Sequence, residues 1–339
     1  MALHLVLCLC VYLLVTQGAQ GNIDEYDCVD MYKQPAFQHP LLKNHKIQET
    51  FILDGNIDSI NTYTSTKEDC PKGTVAILRQ GNESQNVHLN SAQYFGQHFA
   101  TIETVLDGSI YRGTDAEISI HDLNLQNNQY SKSQIWLENG SNSIQAGWAV
   151  HPRLYGDSVT RFTIYWTRDG YHKIGCYNTQ CPGFVVVSRN LIIGKGFWGS
   201  SVYGQTILTY RLQIYQDGIS GNWILKMANE VIGYWPREIL TYLNKGASLI
   251  RYGGNTYLSP DGISPPMGNG HFPVADYKKT AHFKNIAVRN PNYERVYLED
   301  KVVRLYADCN SCYRVTYWGY FKSTGVSFSF GGTGGNCGT

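Results

Sequence analysis

The sequence has little charge and almost no imbalance between its acids and bases. Charged residues make up 16% of the 339 positions, and the formal net charge is +1. A disordered chain or a coiled coil would carry much more charge, and a nucleic-acid-binding protein would normally show a basic excess. The chain is instead rich in Tyr (25) and Gly (34). This composition is typical of β-structure with many turns, and no nucleic-acid partner is expected.

Long apolar runs are also scarce. Residues 5–15 form an apolar run that is too short for a membrane span of about 20 residues and that ends near the small residues Ala19 and Gly21. This pattern predicts a signal peptide over residues 1–21, although a buried N-terminal strand or helix would look similar. We therefore expect a secreted, extracellular protein (apoplast, cell wall or vacuole) with no membrane contact after signal removal. Asn82 and Asn139 begin glycosylation sequons that fit export.

Common cofactor and metal motifs are missing. The sequence contains no phosphate-binding loop, no His-Glu-x-x-His zinc helix and no Gly-x-Ser-x-Gly nucleophile elbow. Its ten histidines do not show metal-ligand spacing. We expect neither a metal ion nor a cofactor.

Charge divides the chain into two units. Residues 22–80 carry nine acids and six bases, whereas the remainder is mildly basic, and residues 80–85 form a polar linker. We predict an N-terminal module over residues 22–85, in which Cys28 and Cys70 are expected to pair, and a body over residues 86–339. The module could be a propeptide that docks over a cleft, or simply an additional surface subdomain.

The body has the pattern of successive short strands. Asp-Gly turns at residues 169–170 and 217–218 separate apolar or alternating segments, which predicts two hairpins. A short helix is predicted from Pro236 to Gly246. Repeated strands at this spacing indicate an all-β fold, an antiparallel β-sandwich of two sheets.

Seven cysteines remain after the signal peptide, so at least one is unpaired or pairs between chains. The spacing of Cys309 and Cys312 allows a redox motif, but no thioredoxin-like pattern surrounds it, and a structural role is favoured.

Several ordered segments resemble the neprosin family of secreted plant proteins, whose type member is a glutamic peptidase that cuts next to proline. In the body these are residues 144–150 (IQAGWAV), 152–157 (PRLYGD), 165–171 (YWTRDGY), 175–184 (GCYNTQCPGF), 231–236 (VIGYWP), 252–254 (YGG) and 268–272 (GNGHF). In the N-terminal module they are residues 27–37 (DCVDMYKQPAF) and 39–48 (HPLLKNHKIQ), which resemble the family's activation peptide. The resemblance implies a two-sheet β-sandwich and a propeptide removed on activation. It also implies the pairs Cys176–Cys181 and Cys312–Cys337, which would leave Cys309 unpaired.

The resemblance does not extend to the family's two catalytic glutamates. The family's two catalytic glutamates would fall at Gln145 and Asn255. One carboxylate must take a proton from water while the other protonates the amide nitrogen, and a side-chain amide does not titrate. Some glutamic peptidases use a Glu–Gln pair, so Asn255 is the more damaging change. Asp157, Asp169, Glu230 and Glu294 are candidate replacement acids.

The leading hypothesis is therefore a secreted, catalytically impaired peptidase homologue that keeps a cleft for a peptide or proline-rich segment. Four aromatic residues could stack on proline rings, although each could equally belong to the sandwich core: Trp148, Trp166, Tyr234 and Trp235. The alternatives are an active proline-directed endopeptidase, made as a zymogen and using an unrecognised acid, or a storage or cell-wall structural protein.

Overall fold

A computed structural model describes residues 25–53, 56–59, 70–79 and 96–338. The predicted signal peptide and Asn82 lie outside these ranges. The described strands all pair antiparallel. In chain order they are β1 (Tyr26–Asp30), β2 (Thr50–Leu53), β3 (Asn56–Ser59), β4 (Thr74–Leu78), β5 (Gln97–Thr104), β6 (Gly113–Ser119), β7 (Tyr130–Asn139), β8 (Asn142–Val150), β9 (Arg161–Thr167), β10 (Gly175–Tyr177), β11 (Val185–Val186), β12 (Thr209–Gln216), β13 (Trp223–Met227), β14 (Glu230–Trp235), β15 (Leu249–Tyr257), β16 (Ile263–Ser264), β17 (Ala281–Arg289), β18 (Arg295–Tyr297), β19 (Val303–Ala307), β20 (Arg314–Phe321), β21 (Gly325–Gly331) and β22 (Gly335–Asn336).

Two large sheets pack face to face. The seven-stranded sheet has the order β10-β9-β8-β7-β15-β5-β19, and the nine-stranded sheet has the order β11-β14-β13-β12-β6-β17-β21-β20, with β18 paired to β17. Hydrogen bonds join them: Trp148 Nε1 donates to the Ser119 carbonyl at 2.8 Å, and the hydroxyls of Thr114 and Tyr252 lie 2.6 Å apart. The predicted β-sandwich is confirmed.

Strand alternation explains how the seven-stranded sheet separates its two faces. On β8, Ile144, Ala146 and Trp148 are buried in the main apolar core between the sheets. Because successive side chains of a strand point to opposite faces, Gln145 points away from that core. The same alternation runs through the neighbouring strands by their register.

The N-terminal module docks on one end of the nine-stranded sheet. Its β1–β4 ribbon is closed by the Cys28–Cys70 disulfide, and a 3₁₀ turn at Pro35–Gln38 approaches β11. The Gln34 carboxamide pairs with both backbone groups of Val186, receiving its N–H at 2.7 Å and donating to its carbonyl at 3.0 Å. Because β11 is an edge strand, these two backbone groups would otherwise be unpaired. The Gln34 side chain therefore satisfies both of them.

The disulfides of the described residues match the expected pairs. They are Cys28–Cys70, Cys176–Cys181 and Cys312–Cys337, and Cys309 is a free thiol.

The predicted helix between Pro236 and Gly246 is wrong. This segment forms turns that end in a 3₁₀ helix at Leu243–Lys245. The side chain of Asn142 accepts the backbone N–H groups of Tyr242 at 2.7 Å and Leu243 at 3.4 Å, so these donors do not need helical carbonyls.

A short α-helix, α1, occurs instead at Pro152–Tyr155 and ends at Gly156 with φ +82°. None of the helices in the described ranges is long and apolar enough to cross a membrane.

Candidate functional site

The outer face of the seven-stranded sheet carries a set of polar side chains, which we call the polar face. The strand registers place them on one side, turned away from the core. From β5 to β9 they are Thr101, Glu103, Lys132, Gln134, Glu138, Gln145, Thr163, Arg251 and Asn255. Both sequence-predicted dyad positions, Gln145 and Asn255, therefore share this face.

Gln145 belongs to a short hydrogen-bonded chain. It is 4% exposed, and its Nε2 donates to the Tyr171 hydroxyl at 2.9 Å. The Tyr171 hydroxyl in turn donates to Glu138 Oε1 at 3.1 Å. Tyr171 is held over the strand by stacking on Tyr165, with ring centroids 6.0 Å apart. One hydroxyl thus separates the Gln145 amide from a carboxylate.

The loop that presents Tyr171 depends on Asp169. Its carboxylate accepts the backbone N–H groups of residues 172–174. Burial raises the pKa of Asp169, but these donors outweigh it and hold the pKa below the ordinary value. Asp169 therefore shapes the loop rather than offering a free base.

Asn255 lies in a different environment on β15. Its Nδ2 donates to Gln97 Oε1 at 3.0 Å and to the His98 carbonyl at 3.3 Å. Its Cα partner on β7 is Lys132, whereas that of Gln145 is Trp136, four residues away. The two amides are therefore offset by about 13 Å along the strands and two strand spacings across them, and they do not hydrogen-bond one another.

Two glutamates on the polar face were missed by the sequence reasoning. Arg251 lies between them, with Nη1 3.5 Å from Glu103 Oε1 and Nε 3.4 Å from Glu138 Oε2. A weak signal for Glu138 was available, because Gln134 and Glu138 alternate with the buried apolar residues Ile135 and Leu137 on β7. Glu103 could be found only from the strand register, which the sequence does not specify.

The other acids considered from the sequence are engaged away from the two amides. Asp157 forms an ion pair with Arg161 at 2.6 Å. Glu230 accepts a hydrogen bond from the Ser188 hydroxyl, and Glu294 accepts one from Asn290 Nδ2 at 2.7 Å.

The four aromatic residues predicted to contact substrate are buried elsewhere, so that prediction is corrected. Trp148, Trp166 and Trp235 are at most 1% exposed and belong to the main core. Tyr234 is covered by the N-terminal module: its hydroxyl is hydrogen-bonded to His45 Nε2 at 2.9 Å and to the Gln48 N–H at 3.0 Å. Aromatic side chains at the polar face include Tyr130, Trp136, Tyr165 and Tyr177 by the strand registers, with Tyr171 stacked on Tyr165.

The structure also describes the contacts of Asn139, a predicted glycosylation site, and of Cys309, the cysteine expected to be unpaired. Asn139 ends β7 and is half-buried, and its Nδ2 donates to the Gly246 carbonyl at 2.7 Å. The Sγ atoms of Cys309, Cys312 and Cys337 lie within 4.8 Å of one another. Because the last two form a disulfide, this group offers one thiol rather than three metal ligands.

A two-sheet sandwich with a separate disulfide-bonded N-terminal module and two widely separated amides on its outer polar face characterises this peptidase-like protein. The Neprosin family model matches residues 127–333, and the Neprosin activation peptide model matches residues 17–122. The chain belongs to the neprosin family. The activation-peptide match continues through β5 and β6, the first strands of the two large sheets.

Solved structures to which this chain is similar include scytalido-glutamic peptidase with a peptide-based transition-state analogue. It has a TM-score of 0.37 and 10% identity, covering 70% of this chain and 97% of that one. Another is SCP-B, a member of the Eqolisin family of peptidases, in complex with the tripeptide Ala-Ile-His. It has a TM-score of 0.35 and 10% identity, again covering 70% and 97% of the two chains.

Proposed function

We propose that this protein binds a peptide or a proline-rich segment on its polar face and is impaired as a peptidase. The observation that supports the proposal is that Gln145 and Asn255, the two predicted dyad positions, share one face but lie about 13 Å apart along the strands, too far to act together on one water molecule. Within the described residues, the two amides hydrogen-bond to a hydroxyl, another amide and backbone carbonyls rather than to a carboxylate. Amides donate and accept hydrogen bonds, as peptide binding requires, but cannot transfer a proton.

One observation favours a second candidate function, an active glutamic endopeptidase made as a zymogen. Glu138 is connected to Gln145 through the Tyr171 hydroxyl. A carboxylate and an amide so arranged could divide the work of activating water and stabilising an oxyanion. Against this, the Glu138 carboxylate already has two partners, the Tyr171 hydroxyl and the Arg251 guanidinium.

The decisive experiment compares cleavage of a proline-rich peptide by four forms of the protein at acid pH. We expect the wild type and Glu138→Gln to be equally inactive, and the double variant Gln145→Glu with Asn255→Glu to stay inactive, because the two positions are too far apart to act on one water molecule. Glu294→Gln is the matched control, since Glu294 bonds to the exposed Asn290. Wild-type cleavage that Glu138→Gln abolishes would establish the second candidate and overturn the first.

Export belongs to the same proposal. A signal peptide over residues 1–21 would direct the protein out of the cell and be removed during export. Disulfides are stable in that environment. The acidic N-terminal module would then be the segment removed on maturation. Mass spectrometry of the protein from culture medium tests both steps, and a mature N-terminus before residue 22 would contradict the signal-peptide assignment.

A further inference from the structure

Lys132 is a buried amine on the polar face. The residue is 2% exposed, and its Nζ donates to the Tyr177 hydroxyl at 2.6 Å. The same Nζ lies 4.2 Å from the ring centroid of Tyr130 and 4.8 Å from that of Tyr177. No carboxylate within the described residues pairs with it. A buried ammonium without a counter-ion is strongly unfavourable, and aromatic faces offset only part of that cost.

The groups around this amine do not supply a negative charge. Burial lowers the pKa of Lys132 to about 7, and it raises the pKa of Tyr177 well above its usual value, so the phenol stays neutral. His151 lies against both tyrosine rings, and its ring centroid is 5.1 Å from that of Tyr130 and 5.6 Å from that of Tyr177. Its pKa is lowered, first by burial and then by the nearby charges of Lys132 and Arg153.

His151 adds a second buried polar group that lacks a partner. The residue is 4% exposed, and its Nδ1 has no hydrogen-bond partner in the described part of the chain. Buried polar atoms are normally satisfied, so such an orphan nitrogen calls for an explanation. Lys132 and His151 thus place two buried nitrogen atoms in one aromatic enclosure, and His151 Nδ1 donates when the neutral ring carries its proton there.

The enclosure adjoins the candidate site and reaches the surface. Lys132 is the Cα partner of Asn255 across β7 and β15. The ring of Tyr130 stacks on Tyr257, with centroids 5.5 Å apart, and Tyr257 is 36% exposed. A ligand that lies along the polar face therefore passes within reach of the Lys132 amine once Tyr257 moves aside.

We propose that Lys132 anchors a carboxylate of the bound peptide. This rests on the proposed peptide-binding function and goes further by naming the chemistry that the ligand must present. The carboxylate would supply the missing counter-ion and could accept a second hydrogen bond from His151 Nδ1. It could come from an acidic side chain or from the peptide's C-terminus.

Calorimetry of the intact protein with matched synthetic peptides tests the proposal. One proline-rich peptide carries an internal Asp with an amidated C-terminus, a second carries Asn instead, and a third has a free C-terminal carboxylate with no acidic side chain. We expect at least one carboxylate peptide to bind about tenfold or more tightly than the Asn peptide. Which of the two does so identifies the source of the carboxylate.

Replacement of Lys132 is the key control. Lys132→Met removes the charge but keeps an unbranched side chain, and it should abolish the preference for a carboxylate, so that the carboxylate peptides bind no more tightly than the Asn peptide. Lys245→Met, at an exposed position, should change nothing. Because a bound carboxylate favours the charged amine, wild-type affinity for the preferred peptide should fall as pH rises above about 7.

The outcomes separate the two proposals. Equal binding of all three peptides would overturn the carboxylate site and leave the peptide-binding function standing. Failure of every peptide to bind would overturn both. A carboxylate preference that persists in Lys132→Met would also overturn the role of Lys132, provided that the variant keeps the wild-type circular dichroism spectrum.

Discussion

Replacing Gln34 with alanine should weaken the attachment of the N-terminal module to the sandwich. Gln34 is 1% exposed, and its carboxamide makes three hydrogen bonds of 2.7–3.0 Å. Two of them satisfy the N–H and carbonyl of Val186 on the edge strand β11, and the third reaches the Met31 carbonyl. Alanine can replace none of these bonds, so buried backbone groups on both sides of the contact lose their partners.

The expected size of the effect follows from the number of groups left unpaired. A buried donor or acceptor without a partner costs about 1–3 kcal/mol, so the two groups of Val186 together cost about 2–6 kcal/mol. Since 1.4 kcal/mol corresponds to a factor of ten in an equilibrium constant, opening of this contact should become at least about 30-fold more frequent. Global stability of the sandwich should change much less, because β11 is a two-residue edge strand.

Hydrogen–deuterium exchange with mass spectrometry measures this directly. The peptide that contains Val186 should exchange at least 30-fold faster in Gln34→Ala, and the same should hold for the segment around Met31. Gln38→Ala is the matched control, because Gln38 is exposed at the end of the same 3₁₀ turn. Protection within about threefold of wild type would refute the reasoning that the carboxamide holds the edge strand.

Three further predictions follow from other contacts. Burial lowers the pKa of His45 against the opposing effect of Glu238, so attachment of the N-terminal module should weaken as pH falls below 6.5, the ordinary pKa of histidine. Hydrogen–deuterium exchange at Tyr234, whose hydroxyl bonds to His45, measures this pH dependence, and His45→Gln should remove it. One thiol per molecule should react with Ellman's reagent in the native protein, and Cys309→Ser should remove it. Asp115→Asn should lower the free energy of unfolding by about 2–3 kcal/mol in urea, because buried Asp115 pairs with Arg295 at 2.9 Å and with a partly solvated second arginine.

Each of these has a clear contrary result. Attachment that strengthens on acidification would reverse the sign derived for His45. A native protein without any reactive thiol would mean that Cys309 is paired between chains. A loss below about 0.5 kcal/mol in Asp115→Asn, against an unchanged Asp276→Asn control on the surface, would show that the ion pairs contribute nothing net.

The sequence allows the fold to be predicted because strand alternation and turn chemistry are local signals. The Asp-Gly turns lead directly to the β9–β10 and β12–β13 hairpins, although the strands end a few residues from the predicted limits. The helix prediction near Leu243 fails because a distant side chain, Asn142, satisfies the backbone there. Long-range partners of this kind leave no local pattern.

The candidate site was only partly predictable for the same reason. Gln145 and Asn255 follow from the family resemblance, and the structure places both on the polar face. Trp148 and Trp166 were predicted to contact the ligand, because the sequence alone does not show which face of their strands is buried. Glu138 follows the period of two on β7, so its face could be predicted. Its connection to Gln145 could not, because it depends on Tyr171, which comes from a loop 26 residues beyond Gln145.

The position of β5 and β6 limits where the chain can be cut during maturation. β5 pairs with both β15 and β19, and β6 pairs with both β12 and β17. Each is an interior strand of its sheet, so cleavage followed by loss of either would split that sheet into two parts and expose the apolar core. A processing enzyme that releases the N-terminal module and leaves a folded product must therefore act before Gln97, even though the activation-peptide match continues to residue 122.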